Sequence, residues 1–431
     1  LTNYYYLDYP EFVYIPLAGK NGNHSDGGCA AKCGKDVMFT RSDKNFVEIW
    51  MGIWATFCFM STLFTVLTFW IDPLRFRYPE KPIIFLSMCF CISSIAYLIR
   101  IYAGAKFVSC DKTDLGEYHI TLEGLENSGC IIVFLLLYYF GMAAAMWWVI
   151  LTISWYLAAG QKWGHESIES KASIFHLFAW AIPAILTIIV ITLRHVEGDE
   201  LTGLCYIGSQ DPNALLYFVI IPLSGFVAIG SIVLLLGYCS LLRKESPVGH
   251  NEGMNGTIKF KRFIIRIGLF TFLYSVPTIC VIGCHTYEYL LSPKWKDTVI
   301  DRARACQDTN SVNSCRLSES IPFKEIFVLK IFMSLVLGIS NGIWVSTNKT
   351  WNSWTRFCQS TFGRRHRRNF KSPSVIHHAS YIQLGHPQHF GTPSIVSFSN
   401  GSQHLHHHIF SQQHLHHHKH SSLKNSRHSQ R

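Results

Sequence analysis

Asn341-Gly-Ile-Trp344-Val-Ser-Thr-Asn-Lys349-Thr350-Trp351-Asn-Ser-Trp354-Thr-Arg356-Phe357-Cys358 is the stretch on which the fold turns. An apolar run of membrane-span character ends here, and a Lys/Thr/Trp cluster begins at once. Trp351, Trp354, Phe357 or Cys358, and Phe362 then recur near helical spacing and leave one sticky face. Tryptophan and lysine favour the membrane–water boundary. The pattern predicts a short amphipathic helix over 347–362, lying flat on the membrane beneath a bundle of spans.

Upstream, the composition agrees. Over 431 residues the chain is 49% hydrophobic and 15% charged, against roughly 25% charged in soluble domains. Seven apolar runs approach or exceed the roughly 18 residues that read as a bilayer span. They cover 49–71, 82–99, 130–157, 173–193, 215–242, 263–287 and 323–345. The fold class is therefore an all-α, seven-helix membrane bundle over 46–346. An extracellular linker precedes it at 1–45, with a glycosylation sequon at Asn23-His24-Ser25. A basic, His-rich tail over 363–431 is expected to be disordered, since such sequence cannot bury a core.

Charge gives the sidedness. The net charge is +11, and it is local. From Thr347 onward there are 11 Lys/Arg and no Asp or Glu, which leaves the rest balanced at 27 against 27. The loop between spans one and two carries Arg75, Arg77 and Lys81, and the loop between five and six carries Arg243, Lys244, Lys259, Lys261 and Arg262. The 2–3 and 4–5 loops are acidic. Positive-inside then puts the N-terminus outside and the tail in the cytosol. Directly after a span, the polybasic Arg364-Arg365-His366-Arg367-Arg368 faces anionic lipid headgroups rather than nucleic acid.

Seven cysteines fall on the outer side: Cys29, Cys33, Cys110, Cys130, Cys205, Cys306 and Cys315. Disulfides persist there. Cys130 and Cys205 can pin the 4–5 loop over the bundle, Cys306 and Cys315 can close the 6–7 loop, and Cys33 can reach Cys110. Cys29 is left over, and the chain opens on Leu1 rather than Met, so its partner is expected in a segment upstream.

Little in the chain points to catalysis. No hydrolase or metalloprotease signature appears, no carboxylate pair lies in a span, and no cofactor or metal is expected. Ionisable groups within the spans are His176, His285, Lys330 and Arg266, with no Asp or Glu placed deep in any span. Lys330 is read as snorkelling to the outer interface, with a ligand-pocket role as the alternative. The repeated Gln-His-Leu-His-His-His near the end lacks the paired spacing of a closed metal site. A His-rich metal transporter is thus the remote reading.

Pro183, Pro222 and Pro277 interrupt spans four, five and six. Proline removes a helix hydrogen bond and kinks the chain. Pro277 lies eleven residues from Arg266, a lever of ~16 Å at 1.5 Å per residue. A swing of ~20° there moves Arg266 by roughly 5–6 Å. Arg266 and Trp344 both fall at cytosolic span ends, where guanidinium over indole is favourable by roughly 0.5–2 kcal/mol. That contact would latch span six and yield when a partner competes. Cys358, on the sticky stretch, is a candidate for palmitoylation.

Lys349-Thr350-x-x-x-Trp354 after a seventh span resembles the cytosolic motif of the Frizzled receptors. Phe64-Thr-Val-Leu-Thr-Phe69, Arg75-Phe-Arg-Tyr-Pro-Glu-Lys-Pro-Ile-Ile-Phe85, Lys162-Trp-Gly-His-Glu166, Gly198-Asp-Glu-Leu-Thr-Gly203 and Arg266-Ile-Gly-Leu-Phe270 continue the likeness over about residues 29–360. Ile101-Tyr-Ala-Gly-Ala105, Ser320-Ile-Pro322 and Lys330-Ile-Phe-Met333 resemble the nine and ten branch. The resemblance implies a plasma-membrane Wnt receptor whose extracellular cysteine-rich domain captures the ligand, with an LRP-type co-receptor. That domain is absent from this chain, which agrees with the unpartnered Cys29. Lys349, Thr350 and Trp354 would contact Dishevelled, with the 1–2, 2–3 and 5–6 loops completing the surface. Arg266 and Trp344 would be the switch between spans six and seven, Cys130–Cys205 a loop disulfide and Cys33–Cys110 a linker disulfide. Coupling mainly to heterotrimeric G proteins is the alternative. Trp351 replaces the more usual Leu inside the motif, and the chain ends Ser429-Gln-Arg431 without the PDZ-binding terminus of many relatives.

Overall fold

In the computed structural model the described residues are 12–16, 27–113, 116–243, 254–309, 317 and 319–368. Asn23, Cys315, the side chain of Cys306 and the tail beyond Arg368 lie outside them, so the sequon, the Cys306–Cys315 pairing and the His clusters carry no structural statement.

Seven helices among the described residues are long and apolar enough to cross a membrane. They are α1 (Arg41–Ile71), α2 (Lys81–Ala103), α3 (Ser128–Ala159), α4 (Ala172–Thr192), α5 (Pro212–Arg243), α6 (Met254–Thr309) and α7 (Lys324–Val345). A final helix, α8 (Asn348–Arg368), follows after a two-residue break. It runs six residues past the expected end at 362 and takes in the first basic residues of the tail. Ordinary capping chemistry starts the spans: the Thr40 and Asn127 side chains accept the Asp43 and Cys130 amides. In α5 one wide turn at Leu216–Ile220 precedes Pro222, where the helix lacks an amide donor.

The sixth helix corrects the sequence reading. Its apolar pattern stops near Tyr287, yet the backbone stays helical to Thr309, 56 residues in all. That is ~84 Å, against ~30 Å for the hydrocarbon core. Glu288 therefore belongs to α6 and is held inside the bundle, contrary to the expectation of no acid within a span. Lys330 does not snorkel; its ammonium bonds the Glu288 carboxylate, which also lies 3.1 Å from His285 Nδ1. A side chain with a buried counter-ion gains nothing by reaching for water.

The bundle packs around α3, whose Trp147, Trp148 and Trp155 are fully buried. Glycines on its neighbours make room for these rings. A Cβ at Gly237 would stand 2.2 Å from the Trp155 ring, and one at Gly230 would stand 2.4 Å from Trp148. Both indoles donate to α6 backbone carbonyls, Trp148 to Thr271 at 3.1 Å and Trp155 to Ile264 at 2.8 Å. His176 sits beside this core as an aromatic partner, edge-on to Phe85 and Trp147 and accepting from Trp180.

The outer end is closed by a cross-linked lid. Disulfides join Cys33 to Cys110 and Cys130 to Cys205. Three short hairpins lie there: β1 (Phe12–Pro16) with β2 (Gly27–Ala31), β3 (Cys110–Lys112) with β4 (Tyr118–Ile120), and β5 (Glu197–Gly198) with β6 (Cys205–Tyr206). Glu200 Oε1 accepts the Val37, Met38 and Phe39 amides and pairs with Lys44 at 2.9 Å. Buried Arg100 donates to the Thr202 carbonyl and to Glu48. Gly203 permits that approach, with a left-handed φ of 64° and Arg100 Nε 2.5 Å from where a Cβ would stand.

Gly237→Ala forces a methyl group into the Trp155 ring. It is expected to cost ~1–3 kcal/mol of stability, read as a lowered thermal midpoint of the purified protein in detergent. An unchanged midpoint would show that α3 and α5 can separate without loss.

Candidate functional site

At the end of the bundle opposite the lid, the 1–2 loop, the ends of α6 and α7, and α8 meet. The chain reverses after α1 through a short turn at Pro73–Arg75, which brings Arg75 under the end of α7. Its Nη1 donates to Thr350 Oγ1 at 2.7 Å and its Nη2 to Thr347 Oγ1 at 2.8 Å. Thr350 is 2% exposed and donates on to the Val345 carbonyl. Two threonine hydroxyls and one guanidinium thus fasten the start of α8 to the 1–2 loop.

The next turn fastens it to α1. Ser353 Oγ donates to Asp72 at 3.0 Å, and Trp354 Nε1 donates to Thr68 Oγ1 at 3.0 Å. The Trp354 ring stacks on Phe64 at 5.6 Å. Lys349 is exposed, as are Trp351, Phe357 and the Cys358 thiol. The three motif residues therefore separate by role. Lys349 is presented outward, while Thr350 and Trp354 hold the helix that presents it.

Arg266 and Trp344 lie together. The guanidinium carbon stands 4.4 Å from the indole centroid, and Phe270 packs on the same ring at 4.9 Å. Trp344 and Phe69 also lean on a small apolar cluster of Phe76, Ile84 and Val345, which seats the 1–2 loop under α7. Glu80 in that loop is the acidic centre of the site. Burial raises its carboxyl above the usual range, against the pull of Arg75, Arg266 and Lys349 and a hydrogen bond from Trp344. At the edge, Lys81 pairs with Glu169 at 2.6 Å and holds that carboxyl below its usual range, joining the 1–2 loop to the 3–4 loop.

One expected part of the surface is elsewhere. The 2–3 loop carries Cys110 of the linker disulfide and lies in the lid. The 3–4 loop occupies the cytosolic position instead, with Trp163 exposed behind Lys162, whose φ is 57°. Within the 5–6 loop, residues 244–253 lie outside the described residues.

A cavity of about 260 Å³ opens in the outer half of the bundle. It is lined in part by Tyr97, Trp148, Tyr274, His285, Glu288 and Lys330. Two of the contacts between α6 and α7 involve charged side chains and differ in kind, Arg266 over Trp344 and Lys330 with Glu288. Cation–π pairs contribute ~0.5–2 kcal/mol, whereas removing one partner of a buried ion pair costs ~3–5 kcal/mol.

Arg75 and Glu80 were missed as site residues. Both stand in the quoted Arg75–Phe85 stretch, but the Arg75 partners lie 272 and 275 residues away, and no local spacing announces that pairing. Glu288 carried a usable signal: His285-x-x-Glu288 is an i, i+3 pair on a helix.

The family model described as the Frizzled/Smoothened family membrane region matches residues 38–361. Frizzled-10 of Homo sapiens is 49% identical over 365 residues, covering 84% of this chain and 62% of that protein. Frizzled-9 of Gallus gallus is 47% identical over 380 residues, covering 84% and 96%. Frizzled-9 of Homo sapiens is 46% identical over 385 residues, covering 84% and 64%. The chain thus spans less than two thirds of the length of several relatives.

Trp354→Phe keeps the stack on Phe64 and removes the donor to Thr68. A hydrogen bond of ~1 kcal/mol predicts about fivefold faster amide exchange across 349–356. Exchange at the wild-type rate would show that the indole nitrogen holds nothing.

Proposed function

The chain belongs to the Frizzled/Smoothened family as a multi-pass membrane protein, and from that membership we propose a Wnt receptor core that recruits Dishevelled at its cytosolic face. The family supports a plasma-membrane receptor rather than an enzyme. The single observation that carries the Dishevelled reading is the division of labour in α8. Thr350 and Trp354 are engaged by Arg75 and Thr68, so Lys349 is offered from a fixed platform. A rigid cationic platform loses little conformational freedom when an adaptor docks.

Wnt capture belongs to the cysteine-rich domain of the family, and the LRP-type co-receptor and anionic-lipid contacts of the basic tail remain part of the same proposal. A second reading has its own support. Arg266 is exposed at the inner end of α6 beside a proline-interrupted helix, so displacing it from Trp344 widens the cytosolic face for a heterotrimeric G protein.

Replacing Lys349, Thr350 and Trp354 one at a time is expected to abolish Dishevelled recruitment to the membrane at unchanged surface expression. Lys349→Ala separates contact from scaffold, because it leaves the Arg75 and Thr68 hydrogen bonds intact. Full recruitment by that variant would remove the Dishevelled assignment.

A further inference from the structure

Among the described residues, two contacts of charged side chains between α6 and α7 sit symmetrically about Pro277. Arg266 precedes the proline by eleven residues and Glu288 follows it by eleven. Each stands ~16 Å along the helix from the proline. Proline has no amide to donate back to the Leu273 carbonyl, so α6 is weakened between the two contacts; its second proline, Pro293, lies beyond the outer one.

The arms are fastened differently. On the inner arm an exposed guanidinium lies over an indole. Trp148 and Trp155 also reach this arm, but they donate to the Thr271 and Ile264 carbonyls, positions where a helix supplies its own donor. On the outer arm Lys330 bonds Glu288, and both carboxylate and imidazole are enclosed, with side chains 13% and 8% exposed. The His285 ring stacks on Tyr206 at 6.2 Å, next to Cys205, whose disulfide to Cys130 fixes the lid to α3. Further along α6, Lys296 donates to the Gln210 carbonyl in the same lid. The outer arm is thus tied to α7 and to a covalently closed lid.

We propose that the Lys330–Glu288 pair is the fixed anchor of α6, so that the inner arm bends at Pro277 while the outer arm stays in place. A helix rocking as a rigid rod would surrender both contacts at once. Bending surrenders only the exposed one. Glu288 and Lys330 are positioning residues, remote from any cytosolic partner. The proposal rests on the reading of Arg266–Trp344 as the contact that yields.

The test places spin-label pairs in the full chain in lipid nanodiscs, with exposed Cys239 and Cys358 replaced. One pair, at Ile265 and Ile343, reports the inner ends of α6 and α7; the other, at Leu290 and Phe323, reports the outer ends. In Arg266→Ala the inner distance is expected to lengthen by roughly 5–6 Å with the outer distance unchanged. Adding Lys330→Met is expected to shift and broaden the outer distance too. The exchanged pair Glu288→Lys with Lys330→Glu is expected to restore it, and Glu288→Gln serves as a milder loosening variant. An outer distance that moves with the inner one in Arg266→Ala overturns the anchor, as does one that stays fixed in both loosening variants. An inner distance unmoved by Arg266→Ala refutes the latch instead; outer loosening in the Lys330→Met single variant, reversed by the exchange, then still supports the anchor.

Discussion

A guanidinium over an indole, Arg266 on Trp344 at 4.4 Å, is the contact on which the cytosolic face depends. It is a modest interaction by energy, ~0.5–2 kcal/mol. Its position gives it weight. Trp344 also carries Phe270 and leans on the cluster under the 1–2 loop, and four residues on the chain has become α8. Displacing one ring therefore disturbs helix six, helix seven and the loop that holds α8. Glu80, raised by burial yet surrounded by Arg75, Arg266 and Lys349, binds these parts electrostatically.

The two ends of the bundle are held together in different ways. Among the described residues, two disulfides, three hairpins and the Glu200 clamp on the Val37–Phe39 amides stiffen the outer end. Hydroxyl, indole and guanidinium contacts hold the inner end. Between them, α3 fills the centre with tryptophans against glycines, so α5 and α6 lie as close to it as side chains allow. Such packing against α3 leaves the inner part of α6 few ways to move other than at Pro277.

Sequence pattern carried the spans well, because a bilayer imposes an apolar length that hydropathy reads directly. Sidedness was legible for a similar reason, since loop charge and cysteine placement agree. What stayed illegible was contact across long separations. Thr350 and Trp354 read as docking residues by motif, while their hydrogen bonds with Arg75 and Thr68 appear only when loop and helix meet in space. Lys330 read as a snorkelling cation because its counter-ion was placed outside the span, and that followed from ending α6 where its apolar side chains end. The 2–3 loop was assigned to the cytosolic surface by resemblance, although its own acidic character and Cys110 put it in the lid.

Nucleotide exchange on a heterotrimeric G protein by the purified receptor, wild type against Arg266→Ala and Trp344→Ala, tests the latch most directly. A contact of ~0.5–2 kcal/mol that holds α6 closed predicts ligand-independent exchange ~2- to 30-fold faster in either variant. Exchange unchanged in both, with the protein folded and inserted, would contradict a latch at this site.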